Sequence, residues 1–263
     1  MIIDVTTEKM VVISDLHLGN PFSSSKKQLI EFLYWAAENK YDVCINGDGL
    51  EIAQVSFRKL AEDVPEVFRA VKAISRAGNR VFYIVGNHDI LLENFLEDWG
   101  SLILAPFLNV RCGSQRIRIE HGHLYDPFFV KRPDLYEFLT WLGGFVLMVS
   151  PRAYKAWIKF EEWKSRVRRI LTVKSEVETL PGEHPDFVIA AEEICSRGFD
   201  AIIFGHTHHA GELPLPQGRY FNSGSWLIHP NFINIQETSV EVKSFSSGLF
   251  QPENNFSNKA FPK

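Results

Sequence analysis

Cysteine is scarce in this 263-residue chain: Cys44, Cys112 and Cys195 are the only three. Their number is odd, their spacing is wide and no two form a CxxC pair. A disulfide-stapled scaffold or a thiolate metal site is therefore not what organises the chain, and the three read as small apolar core residues. Positive charge is not in excess either. The formal net charge is −4, so no global basic field gathers nucleic acid, which is not expected as a partner. The first residues, MIIDVTTEKMVVISDLHLG, lack a basic region followed by a long apolar run. No signal peptide is read there, and a cytoplasmic protein is expected. Long hydrophobic runs are missing as well: crossing a bilayer takes roughly 18 apolar residues. The most apolar stretch, Phe138 to Pro151 (FLTWLGGFVLMVSP), has 14 residues without a charge. A buried helix is expected there, with contact to a membrane surface or an acyl chain as the alternative.

What is present is an ordinary globular composition, 45% hydrophobic and 23% charged, on a chain long enough for one large domain and its core. Met10–Ile13, Asp42–Ile45 and Arg80–Val85 read as β-strands. Lys27–Lys40 and Val64–Ala77 carry apolar residues at helical spacing, and Gly78 is placed to end the second helix. Strands alternating with helices imply parallel crossovers and a sheet covered on both faces. Asn109–Glu120 reads as a hairpin broken at Gly113-Ser114. Ala201–Phe204, Arg219–Asn222 and Ser239–Phe245 read as further strands, and the tail from Ser246 as loose. The expected architecture is a mixed sheet, or two packed sheets, with helices outside.

Polar residues recur where these apolar strands stop. Asp15 and His17 follow MVVI, Asp48 follows DVCI, and Asn87, His88 and Asp89 follow RVFYIV. His121 and His123 follow RIRIE, and His206 and His208 follow AIIF. Loops beyond strand carboxyl ends converge on a crevice. One DxH or HxH alone carries little weight, but six of the nine histidines sit in these strand-end positions. Burying so many carboxylate, amide and imidazole groups together is costly without a counter-charge, and a metal centre supplies one. The mixture without thiolate suits Mn²⁺, Fe or Zn²⁺, with Mg²⁺ also possible. One acidic residue can bridge two ions about 3.5–4 Å apart, the geometry of two-metal phosphoryl chemistry.

DLH, GD, GNHD, HGH and GHTH, in this order over roughly residues 10 to 226, resemble the calcineurin-like metallophosphoesterase superfamily. The resemblance implies an α/β (α+β) fold, a four-layer αββα sandwich of two mixed sheets. It implies that Asp15, His17 and His208 hold one metal, that Asn87, His121 and His206 hold the other, and that Asp48 bridges them. Hydroxide generated between two cations would attack phosphorus. His88 would protonate the leaving group and Asp89 would orient His88. The other reading of Asp89 is an N-terminal cap for the ILLENFLEDW segment. His123 is left as ligand neighbour, substrate contact or supporting residue.

His121 and His206 are 85 residues apart, and the mainly helical stretch from about 127 to 183 reads as an insertion within a single domain spanning 1–263. With YFNSGSW near the end, this resembles the branch containing UDP-2,3-diacylglucosamine diphosphatases. The substrate so implied is a phosphorylated small molecule or a lipid-linked one, with peripheral membrane contact through the insertion. From Arg152 to Arg169 there are seven basic residues and two acidic ones. A solvated face is the common meaning of such a run; an anion-binding flap using Lys159, Lys164, Arg168 and Arg169 is the functional one. A nuclease and a non-catalytic metal-binding scaffold are the remaining alternatives.

Overall fold

The computed structural model describes residues 3–20, 26–149, 178–180, 183–227 and 229–246. Two six-stranded mixed sheets pack face to face. Sheet I has the order β1-β6-β7-β8-β10-β9, built from β1 (Ile3–Thr6), β6 (Leu108–Cys112), β7 (Gln115–Ile119), β8 (Ala201–Phe204), β9 (Gly211–Pro214) and β10 (Arg219–Asn222). Sheet II has the order β12-β11-β2-β3-β4-β5. Its strands are β2 (Lys9–Ile13), β3 (Asp42–Asn46), β4 (Val81–Ile84), β5 (Ile103–Ala105), β11 (Asn231–Gln236) and β12 (Ser239–Ser244). Strands β2 to β5 are mutually parallel, joined through α1 (Lys26–Glu38) and α2 (Phe57–Arg76).

Three apolar layers hold the sandwich together. Between the sheets lie Met10, Val12, Cys44, Phe82, Ile84, Val110, Ile117, Ile203 and Ile233. Outside sheet II, Val11, Val43 and Tyr83 meet Phe32, Leu33, Val67 and Ile74 of α1 and α2. Outside sheet I, Ile202, Phe204 and Tyr220 meet Phe187, Ala191 and Ile194 of α5 (Pro185–Ser196). Alternate residues of β2 and β3 face opposite layers, so their central runs, Met10–Ile13 and Val43–Ile45, are apolar rather than alternating with polar residues. The result is the four-layer αββα arrangement. The three cysteines are free and buried in these layers.

Between β7 and β8 the chain leaves the sandwich through α3 (Pro127–Lys131) and α4 (Pro133–Val149). Asp126 caps α3, accepting the Phe128 N–H at 2.8 Å. The expectation of a buried helix from Phe138 onward is corrected. Leu135, Phe138, Trp141 and Phe145 of α4 are 42%, 53%, 60% and 47% exposed, one turn apart, and no described α4 side chain is fully buried. Along that face the rings of Phe138, Trp141 and Phe145 pack on one another, with centroids 6.1 and 6.0 Å apart. No helix among the described residues is long and apolar enough to cross a membrane. Lys159, Lys164, Arg168, Arg169 and most of the polar tail lie outside the described residues.

Candidate metal centre

Register places the site. Ile13 pairs with Ile45 and Ile45 with Tyr83, so the loops bearing Asp15, Asp48 and Asn87 leave sheet II at one level. Ile119 pairs with Ile203 in sheet I, which sets His121 beside the loop bearing His206 and His208. Bonds beyond the strands then tie these loops together within sheet II and across to sheet I. Asp15 N–H donates to the Gly47 carbonyl at 3.1 Å, Asn46 Nδ2 to the Glu120 carbonyl at 2.9 Å, and His206 N–H to Asp15 Oδ2 at 3.2 Å. The YFNSGSW stretch braces the same loops. Asn222 Nδ2 donates to the Gly205 carbonyl and to Thr207 Oγ1, while Ser223 and Ser14 share a hydroxyl bond at 2.8 Å.

The backbone is bent hard here. Six described non-glycine residues have positive φ, and five of them are Asp15 (53°), His17 (45°), Asp48 (50°), His206 (65°) and His208 (65°). That region crowds any residue bearing a Cβ, and it persists where the surroundings over-determine it. The motif glycines are fixed by close approach. A Cβ on Gly47, itself at φ +79°, would strike the His121 ring, and one on Gly86 would strike the Asp48 carboxylate.

These loops bring together eight of the residues singled out from sequence. Asp15, His17 and His208 offer donor atoms within 4.8 Å of one another, and so do Asp48, His121 and His206. The Asn87 amide oxygen lies 3.2 Å from His121 Nε2 and 2.9 Å from His206 Nδ1. His88 joins His17 and Asp48 in a third such group.

The histidines are oriented from behind. His17 Nδ1 is 2.7 Å from Glu51 Oε2, His121 Nδ1 is 2.8 Å from the Asn46 carbonyl, and His206 Nε2 is 3.0 Å from Asp126 Oδ2. Each acceptor takes a ring N–H, which turns the other ring nitrogen inward, where the neutral ring offers a lone pair. His17 Nε2 is buried without a hydrogen-bond partner, 4.0 Å from both Asp15 Oδ1 and Asp48 Oδ2. Burial holds His206 below its ordinary range, with Asp126 opposing, so the ring is neutral and its one proton belongs with that carboxylate. Its Nδ1 lone pair then faces the Asn87 oxygen, a contact that calls for a cation between them. The donor set fits divalent metal ions.

Electrostatics point the same way. Asp15, Asp48 and Glu51 are almost wholly buried. Burial alone would raise all three carboxyls. It is outweighed at Asp15 by His208 and His121, and at Asp48 by His121, His88 and His17. At Glu51, His88 and His17 outweigh it and bring the carboxyl down to about 2. The reciprocal effect lifts His88 to about 10 and His121 to about 9 against burial, through Glu51 and Asp48 for the first and Asp48 for the second. Without metal, protons supply the positive charge that the carboxylates demand.

Residues 8–210 match the family model for calcineurin-like phosphoesterases. The chain belongs to that family. It is thus a phosphoesterase, a hydrolase by class. It is 23% identical over 255 residues to a UDP-2,3-diacylglucosamine hydrolase of Pseudomonas savastanoi pv. phaseolicola, covering 93% of this chain and 97% of the relative. A Pseudomonas putida protein of the same name is 23% identical over 202 residues, 76% of this chain and 81% of that one. Among solved structures, an archaeal phosphodiesterase is 14% identical with a TM-score of 0.47, covering 90% of this chain and 98% of that one.

Several residues of this phosphoesterase sit differently from the sequence reading, or were missed by it. Asp89 does not cap the following segment: that stretch is a 3₁₀ turn, Ile90–Phe95, without a side-chain cap bond. Its carboxylate instead accepts from Gly86 N–H at 2.6 Å, Gly49 N–H at 2.9 Å and the Tyr83 hydroxyl, tying the GD loop to the GNHD loop. The partner of His88 Nδ1 is Glu51 Oε1, at 2.6 Å. Glu51 was not foreseen; its only signal is its place three residues after Asp48. Asp126 and Tyr136 were missed too, the latter accepting from Asn87 Nδ2 at 2.6 Å. His123 is buried, with neither ring nitrogen bonded, against Phe129 at 5.1 Å and His121 at 5.5 Å between ring centres.

Proposed function

We propose that this phosphoesterase hydrolyses a phosphoester or phosphoanhydride of an anionic, lipid-linked metabolite, a UDP-sugar lipid being the leading case, with the help of two divalent cations. Asp15, His17 and His208 would hold one, Asn87, His121 and His206 the other, and Asp48 both; Mn²⁺ is the first choice, with Fe, Zn²⁺ and Mg²⁺ as substitutes. Such ions neutralise phosphoryl oxygens and acidify water. The observation that carries the reading is the inward turn of one ring nitrogen each of His17, His121 and His206 toward the Asn87 oxygen and the Asp15 and Asp48 carboxylates.

The chain's own groups account for the rest. Asp15 and Asp48 stay ionised, and the Glu51 and Asp126 carboxylates and the Asn46 carbonyl keep three histidines turned as acceptors. His88 has 15% of its side chain accessible and its Nδ1 anchored on Glu51, so Nε2 is the position from which a proton passes to the leaving oxygen. Asp89 supports His88 at one remove, by holding the loops on which His88 and Asp48 stand.

The lipid reading rests on α4, whose exposed face of Leu135, Phe138, Trp141 and Phe145 belongs to the helix that reaches Asn87 through Tyr136. Acyl chains, or the membrane surface holding them, would cover that face; the name of the relatives specifies a diacylated sugar nucleotide. His123 and the basic residues Lys159, Lys164, Arg168 and Arg169 are our candidates for contacts to the anion. Purified protein supplied with Mn²⁺ is expected to cleave bis-p-nitrophenyl phosphate, to lose that activity in chelator, and to prefer acylated over unacylated UDP-sugars. Activity that survives complete chelation would sink the two-cation reading. Equal rates on acylated and unacylated substrates would sink the lipid reading, and preference for single-stranded DNA would replace it with a nuclease.

A further inference from the structure

The two cation positions differ in how they are supported. Behind Asp15, His17 and His208 stands Glu51, which follows β3 within the sandwich; among the described residues, no hydrogen bond of these three reaches α3 or α4. Behind Asn87 and His206 stand two residues of the segment that leaves the sandwich after β7. Tyr136, on α4, accepts from Asn87 Nδ2 and so fixes which end of that amide faces inward. Asp126, the cap of α3, holds His206 Nε2–H and leaves Nδ1 as the inward atom. The two supports are themselves joined: Phe129 of α3 packs edge-on to the Tyr136 ring at 5.1 Å and to the His123 ring at 5.1 Å.

We infer that Tyr136 and Asp126 are positioning residues for one of the two cations only, the one held by Asn87, His121 and His206. Seating of the α3–α4 segment and occupancy of that position are therefore linked. The inference rests on the two-cation reading. With Tyr136 gone, the Asn87 amide is free to turn its NH₂ toward the site; with Asp126 neutral, His206 is free to move its proton to Nδ1. Either change removes a donor lone pair from one position and leaves the other alone. Linkage is reciprocal: if the seated segment tightens the cation, the cation must hold the segment seated by the same factor.

The test is calorimetric titration of the full chain with Mn²⁺, followed by the spin-coupled signal of the metal pair in electron paramagnetic resonance. Wild type is expected to bind two ions. Tyr136→Phe, which keeps the ring against Phe129, and Asp126→Asn are each expected to weaken one of the two steps by about 10- to 100-fold, the usual effect of removing an outer-shell partner. The other step should hold, and the signal should shift from coupled to isolated Mn²⁺. Tryptic cutting after the exposed Lys131 should slow when Mn²⁺ is added to wild type, and less so in Tyr136→Phe. Two unchanged binding steps in both variants, or both steps weakened equally, would overturn the inference. No Mn²⁺ binding by wild type would overturn the two-cation reading beneath it. The tryptic measurement on wild type decides the linkage even if a variant misfolds: a cutting rate indifferent to Mn²⁺ refutes it.

Discussion

Glu51→Gln alters one atom and forces a choice on two histidines. The carboxylate gives one oxygen to His17 Nδ1 at 2.7 Å and the other to His88 Nδ1 at 2.6 Å. Glutamine has a single oxygen, and its NH₂ can only donate. If the oxygen stays with His88, the amide nitrogen faces His17, whose proton must move to Nε2, the atom turned toward Asp15 and Asp48. A cation donor is then lost, which costs about 10- to 100-fold in affinity, or about 1.4–2.8 kcal/mol. If the oxygen stays with His17, the charged form of His88 loses its anionic partner in a buried setting, and turnover on poor leaving groups falls instead. One of the two functions must suffer. The measurements are Mn²⁺ titration, turnover on an alkyl phosphate ester and, to exclude unfolding, a thermal melt. A well-folded Glu51→Gln protein with wild-type Mn²⁺ affinity at both positions and wild-type turnover would refute the shared-carboxylate argument.

Two further outcomes are expected. His88→Ala should retain both cations yet lose about 10²- to 10⁴-fold in turnover on alkyl esters, with little loss on p-nitrophenyl esters, whose leaving group needs no proton; equal losses on both would remove His88 from the donor role. In the chelated protein, His88 stands at about 10 and His121 at about 9, against an ordinary 6.5. A folded-state value above the unfolded one gives stability that is full below about 6.5 and is lost as pH rises through 9 to 10. Thermal melts without metal should therefore decline over that window, while Mn²⁺, taking the place of those protons, should flatten the decline; identical slopes with and without Mn²⁺ would contradict this.

Much of the fold was legible because its strands are buried on both faces. MVVI, DVCI, RVFYIV and AIIF are short apolar runs that stop abruptly at polar residues, and each is a central strand. The less visible strands were β1 and β9 at the edges of sheet I, β5 at an edge of sheet II, and β11, where Asn231, Asn234 and Gln236 interrupt the apolar pattern. Helix α2 begins at Phe57, seven residues before the expected Val64, with Ser56 as its cap and Pro65 within it. The proline and the polar first turns hid that start. At the site, the inward-facing residues were readable because each sits just beyond a strand. Glu51, Asp126 and Tyr136 were not, because their partners are 34 to 80 residues away in sequence and no local pattern marks a residue that acts through another. The exposed face of α4 was misjudged for a related reason: an apolar run reports a need for cover and does not say whether the protein or a ligand provides it.

Asp15, His17, Asp48 and Asn87 come from sheet II, whereas His121, His206 and His208 come from sheet I. Filled with cations as proposed, the centre would be a reversible crosslink between the two halves of the sandwich, joining residues far apart in sequence. Opening the sandwich along its inner apolar layer would then require those coordination bonds to break first. Persistence of the folded enzyme would then be a matter of how fast metal leaves rather than of net stability alone. Dilution into denaturant should show this as an unfolding rate that falls with Mn²⁺ concentration, while the refolding rate, set by sheets assembled before the loops are complete, stays nearly constant.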